Sequence, residues 1–176
     1  MKHSAAFAIP FVIAALTSSA RANDADEDHA ETYLNSGPIF DHSLRGQGNG
    51  YGLEVSFMHF PNGAERIGYG AFTQAQVTSR GAGRFAGGFQ FGKVIGAEFG
   101  LFDQTGTDSE PRRYGMHTGL FLMMYALVAL RLDVPFSRES DGSFQSADVA
   151  LTLGFKIPWN LTYGGIGPKL SGIPMR

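Results

Sequence analysis

Cysteine is absent from all 176 residues. No disulfide framework can form, and no N-terminal cysteine is there to carry a lipid. Charge is scarce as well: Asp, Glu, Lys and Arg together make up 17% of the chain, against about a quarter in an ordinary soluble domain. The formal net charge of −2, with no basic stripe, excludes the electrostatic footprint of a nucleic-acid binder. No His, Asp or Glu recurs at metal-ligand spacing. Gly-rich stretches such as Gly81-Ala82-Gly83 lack the strand-to-helix context of a phosphate loop. No catalytic, cofactor-binding or metal-binding residue is therefore expected, and no cofactor. Long apolar runs are missing too. The best of them, GLFLMMYALVALRL at 119–132, is hemmed by His117, Arg131 and Asp133 and falls short of the eighteen or so residues a membrane helix needs.

The N-terminus reads as an export signal. Lys2 and His3 precede an apolar stretch at 5–16, and Thr17-Ser18-Ser19-Ala20-Arg21-Ala22 supplies small residues with an A-x-A cleavage site. Cleavage is expected after Ala22, giving a signal peptide at 1–22. Losing Lys2 and Arg21 leaves the mature chain two charges more acidic. An exported chain without thiols suits a bacterial envelope. Asp24, Asp26, Glu27, Asp28 and Glu31 then form an acidic lead-in with little apolar content, so residues 23–47 are expected to be mostly irregular. Asn35-Ser36-Gly37-Pro38 reads as a turn there, with a short strand at 39–44.

What the chain has in quantity is glycine, 24 residues, and phenylalanine, 15, set in a period of two. Leu53, Val55 and Phe57 alternate with Gly52, Glu54 and Ser56, and Val149 to Ile157 repeat the pattern against Asp148, Ala150, Thr152, Gly154 and Lys156. Successive strand side chains point to opposite faces, so each such segment has one oily face and one small or polar face. Strands are expected at 51–60, 66–78 and 144–159, with a short last one at 160–164. Residues 84–103 and 114–136 each hold one phase for too long to be a single strand. The first should break near Gly92-Lys93-Val94 through a three-residue connection, because a two-residue loop would turn Glu98 onto the oily face. The second shows no turn residue near its middle. Splitting both gives seven or eight strands; leaving both whole gives five or six. The continuous apolarity of 119–132 also permits a helix, but Arg131 and Asp133 share one strand face opposite Val128, Leu130, Leu132 and Val134.

Charge placement chooses between an oily face turned inward and one turned outward. Most charges fall in presumed turns or at strand ends, Arg84 among them. The strand interiors hold Glu54, Glu98, His117, Arg131, Asp133, Asp148 and Lys156, and these are the residues expected in a polar lumen. The rest of that face is Gly, Ala, Ser and Gln, too small for a water-facing wall and suited to a narrow interior. Both signs are present, so the charges can pair where an unpaired one would cost several kcal/mol. The expected fold is all-β: a single antiparallel up-and-down transmembrane barrel of about eight strands over residues 48–176, with a Gly- and Pro-rich tail. Trp159, Tyr33, Tyr51, Tyr69, Tyr114, Tyr125 and Tyr163 are candidates for aromatic girdles.

With its leader and the strand pattern at 48–159, the chain resembles the small outer-membrane β-barrels of Gram-negative bacteria, the OmpA-like and OmpX-like class. Thr152-Leu153-Gly154-Phe155-Lys156-Ile157-Pro158-Trp159 looks like the terminal-strand assembly signal of that class, although further residues follow it and the chain ends in Arg176. The resemblance implies an outer-membrane location, with outer-membrane lipids and the barrel-assembly machinery as partners. It also implies a structural, adhesive or interaction role, with a narrow pore as an option. A protein partner outside the cell or in the periplasm fits such a role; nucleic acid does not. Two other readings stay open: a soluble periplasmic lipocalin-like barrel holding an apolar ligand, and a lipid-A-modifying enzyme. For the last, His42-Ser43 and His117-Thr118 each split across two strand faces and give no nucleophile–base pair.

Overall fold

The computed structural model describes residues 30–46, 48–62, 67–107, 111–123, 126–138, 142–162 and 164–166. The expected signal peptide and most of the acidic lead-in lie outside them. Every regular element described is a strand: β1 (Glu31–Ser43), β2 (Asn49–Phe60), β3 (Gly68–Thr78), β4 (Gly83–Gly92), β5 (Ile95–Gln104), β6 (Arg113–Met123), β7 (Ala126–Pro135), β8 (Asp148–Phe155), β9 (Ile157–Asn160) and β10 (Gly165–Ile166). Each of β1 to β8 pairs antiparallel with the next, and β8 returns to pair with β1. β9 continues β8 along β1 in the same register, so β8 and β9 are one wall strand and the barrel has eight. The helical alternative for 119–132 is overturned, since Leu120 and Leu122 lie on β6 and Leu130 and Leu132 on β7.

The barrel begins earlier than the sequence suggests. β1 occupies Glu31–Ser43, inside the region expected to be irregular, and runs opposite β2 for twelve partnered positions from Glu31↔Phe60 to His42↔Asn49. The apparent turn Asn35-Ser36-Gly37-Pro38 lies mid-strand. Pro38 has no N–H to donate, and the ladder between β1 and β8–β9 lapses at that level, between Ile39↔Gly154 and Ser36↔Ile157. A Cβ on Gly37 would stand 1.7 Å from the Phe155 carbonyl oxygen, so a turn-like composition here reflects a close crossing of strands.

The long runs divide as the phase argument requires. Gly92, at φ 144°, pairs with Gly96 across a three-residue connection, and Glu98 stays on the inner face. The second run breaks between β6 and β7, where Met123 pairs with Leu127 and residues 124 and 125 lie outside the description. The last wall strand starts at Asp148 rather than 144; Phe144 forms only an isolated bridge to Arg138 inside the β7–β8 loop. Instead of a strand at 160–164, β10 folds back on Trp159 and Asn160.

Register fixes the barrel's dimensions. A path from Tyr33 through Met58, Gly70, Gln90, Glu98, Gly119, Arg131 and Ala150 crosses all eight strands and rejoins β1 at Ser43, ten residues further along. With about 3.3 Å per residue and about 4.8 Å between strands, that offset tilts the strands by about 40° and gives a backbone radius of about 8 Å. Ten residues of strand then rise about 25 Å along the axis. At one rim β1, β3, β5 and β7 end and β2, β4, β6 and β8 begin. At the other β2, β4, β6 and β9 end and β1, β3, β5 and β7 begin. The first is called the loop rim below, and the second the turn rim.

Candidate functional site

Strand alternation and closure put the oily residues outside. On β7, Val128, Leu130, Leu132 and Val134 are exposed while Leu127, Ala129, Arg131 and Asp133 are buried. The same division runs round the wall. Leu53, Phe85, Phe89, Phe99, Leu101, Leu120 and Leu153 are all exposed, most by about half or more of their surface. Tyr51 and Tyr114 stand outward near the loop rim, and Tyr69 and Trp159 outward near the turn rim. Tyr33 departs from the girdle expectation: it is buried inside, packs edge-on against Phe60 and donates its hydroxyl to Glu31. Tyr125 and Tyr163 lie outside the described residues.

All seven residues expected in the lumen, Glu54, Glu98, His117, Arg131, Asp133, Asp148 and Lys156, are buried on the inner wall. They do not act alone. Asp41 and Arg84, which sequence reasoning placed in a marginal strand and at a strand end, are buried there too and hold the network together. Arg84 donates to Asp133 Oδ2 from Nη2 at 2.8 Å and from Nε at 3.2 Å, and to Gln76 Oε1 from Nη1 at 2.9 Å. Asp133 also takes His117 Nδ1 at 2.8 Å and lies 3.3 Å from Arg131 Nε. His117 Nε2 is 2.9 Å from Glu98 Oε1. Arg131 pairs with Asp41, which further accepts from Gln76 and Thr152. Ser43 donates to Asp148 at 2.6 Å. Lower in the barrel, Lys156 pairs with Glu54, which also accepts from Gln74 at 3.2 Å.

Phase was the signal that would have found Arg84 and Asp41. Arg84 shares parity with Ala86, Gly88 and Gln90, and Asp41 with Tyr33, Asn35 and Ser43. Each of these charges is worth burying only because a counter-charge faces it; removing one partner of a buried pair typically costs 3–5 kcal/mol.

The lumen has two zones. Toward the turn rim it is oily, with Tyr33, Met58 and Phe60 in one cluster and Ile39, Phe121, Leu127 and Ala129 in another. Toward the loop rim charges dominate, with Phe72, Ala86 and Phe102 packed among them and Arg84 5.6 Å over the Phe102 ring. There the lumen opens into a shallow vestibule whose lining includes Asp41, Gln76, Arg84, Arg131 and Asp148. Along the lumen Glu54, Ser56, Met58, Gln90 and His117 are fully buried, so the described side chains fill its middle.

The arrangement offers no hydrolytic geometry among the described residues. His42 faces outward against Asn49 while Ser43 faces inward, and Thr118 donates outward of His117 to the Glu98 carbonyl at 3.1 Å. The partners of His117 are Glu98, Asp133 and Arg84, with no hydroxyl among them. No cluster of three His, Asp or Glu among the described residues is arranged to hold a metal ion. Comparison with protein-family models and with curated proteins finds no match for this chain.

Proposed function

We propose that this protein is an outer-membrane β-barrel of a bacterial envelope, a non-catalytic component that presents its loop rim to a partner. The observation that carries the reading is the inversion of the wall: an oily exterior round a closed barrel whose interior holds paired charges. A soluble carrier of the lipocalin kind has its apolar lining inside, where this barrel has Arg84, His117, Arg131 and four carboxylates within contact of them, Asp41, Glu98, Asp133 and Asp148. The roughly 25 Å rise of its strands matches the apolar band of such a membrane, and closure leaves no strand edge for lipid to desolvate. The two shortest connections, of two residues each between β4 and β5 and between β6 and β7, stand at the turn rim with the start of β1 and the end of β9. The two longest, between β5 and β6 and between β7 and β8, stand at the loop rim, which fits the periplasmic and outer sides in turn. The export signal and the Thr152–Trp159 segment, which occupies the closing strand, suit delivery by the barrel-assembly machinery. A filled mid-section favours a structural or adhesive role over an open pore. Catalysis has no support in a lumen whose histidine is committed to two carboxylates.

A heat-modifiability gel tests this. The mature chain recovered from envelopes should migrate faster unboiled than boiled, and should leave the envelope only with detergent. Release by osmotic shock without detergent, as a species whose mobility ignores boiling, would overturn the proposal in favour of a soluble barrel.

A further inference from the structure

His117 is the centre of the ionic zone, and its surroundings supply a partner for each of its protonation states. Nε2 has one neighbour, Glu98 Oε1 on β5 at 2.9 Å, which only accepts. Nδ1 has two of opposite kind. Asp133 Oδ1 on β7, an acceptor, is 2.8 Å away, and Arg84 Nη2 on β4, a donor, is 3.2 Å away. A doubly protonated ring donates to both carboxylates. A neutral ring carrying its proton on Nε2 still donates to Glu98 and accepts from Arg84 through the Nδ1 lone pair. Neither state strands a buried polar atom, which a histidine with only a carboxylate at each nitrogen cannot achieve.

We infer that His117 and Arg84 form a proton-operated two-state switch inside the barrel, in which gain or loss of the Nδ1 proton decides whether Asp133 or Arg84 serves that nitrogen. In the protonated state Asp133 is shared by three cations: the imidazolium, Arg84 and Arg131. In the neutral state Arg84 Nη2 divides itself between Asp133 and the ring. The remaining neighbours are accounted for. Phe72 on β3 lies against the ring at 5.4 Å between centroids and brings no charge. Asp41 on β1 reaches the site through Arg131 and through Gln76, which donates to it and accepts from Arg84, and Asp148 on β8 reaches it through Arg131. Glu54 on β2 is paired with Lys156.

The switch has an outlet. Arg84 lines the vestibule together with Gln76, Asp41 and Arg131, so the proton on His117 sets how one guanidinium of that floor is held. Solvent acidity at the loop rim would thus be read one side chain below the vestibule. The inference does not depend on what surrounds the outer wall.

Nitrogen-15 NMR of the histidine-labelled, full mature chain, folded in detergent micelles, tests it directly. Titration across roughly pH 4 to 9 brackets an ordinary histidine. The expected result is one buried ring, distinct from those of His29, His42 and His59, whose Nδ1 resonance moves to the lone-pair position as pH rises while Nε2 stays protonated. In Arg84→Gln the preference for the Nε2–H tautomer should be lost. Because the wild type carries the first readout, a variant that fails to fold leaves the test intact. A His117 ring fixed in one state across the whole range, or a neutral ring with its proton on Nδ1, would overturn the switch.

Discussion

The outer wall and the lumen are made by the same strands from alternate residues, yet they are held by different physics. On β7, Leu130 and Leu132 face out beside Arg131 and Asp133 facing in. An outward leucine touches its register neighbours, Leu120 on β6 and Leu151 on β8, and otherwise meets the surroundings. Its contribution therefore depends on what those surroundings are. An inward charge depends on distant chain positions: Asp133 needs Arg84, His117 and Arg131 simultaneously. The outer wall should accept substitution by anything oily, while the lumen should fail when any one member is removed and recover when both members of a pair go together.

The largest break in that contrast is expected from Asp133→Ala, which leaves two guanidiniums and His117 without their shared carboxylate. About 3–5 kcal/mol of unfolding free energy should be lost, read by urea titration of the protein in lipid vesicles with Trp159 fluorescence as the signal. Lys156→Met should cost a similar amount by stranding Glu54, whereas Lys156→Met combined with Glu54→Gln should recover most of it. If the double variant were as unstable as the single, pairing would not be the reason for these charges. On the other wall, Leu130→Arg should cost about 2–4 kcal/mol in a bilayer and much less in a form of the protein surrounded by water. Equal costs in the two settings would erase the distinction between the walls.

Smaller effects sharpen the comparison within the backbone itself. A Cβ on inward Gly70 would stand 1.7 Å from the Phe57 carbonyl oxygen, whereas one on outward Gly87 would meet nothing nearer than 3.3 Å. Gly70→Ala should therefore destabilise by about 1–3 kcal/mol through forced backbone movement, and Gly87→Ala by clearly less in the same urea assay. The smallest effect belongs to the exposed Arg112–Asp103 pair at the loop rim, 2.7 Å apart and well solvated. Arg112→Ala should leave the unfolding midpoint where it is.

Much of this architecture is legible one segment at a time. The break at Gly92 follows from phase, because only a three-residue connection keeps Glu98 with Gln90 and Gly88. The inward set from Glu54 to Lys156 follows from parity. β1 was hidden because Asn35, Ser36, Gly37 and Pro38 are turn formers by local preference, and their strand conformation is imposed from both sides by β2 and β8–β9. Arg84 reads as a strand-end residue because it stands next to a turn, although its phase is that of Gln90. Tyr33 is an interface candidate by residue type, and its inward parity instead puts it against Phe60.

The sequence by itself determined that there are two faces and what each is made of, since a period of two is a local property of extended backbone. It also determined that the charges must find partners, since their number is small and their signs mixed. Which charges meet was decided only by tertiary structure. Asp41 and Arg131 are 90 positions apart, and Glu54 and Lys156 are 102 apart. They face each other because a ten-residue stagger round a closed eight-strand wall brings those levels together. Closure is a property of all eight registers at once, and no single segment carries it.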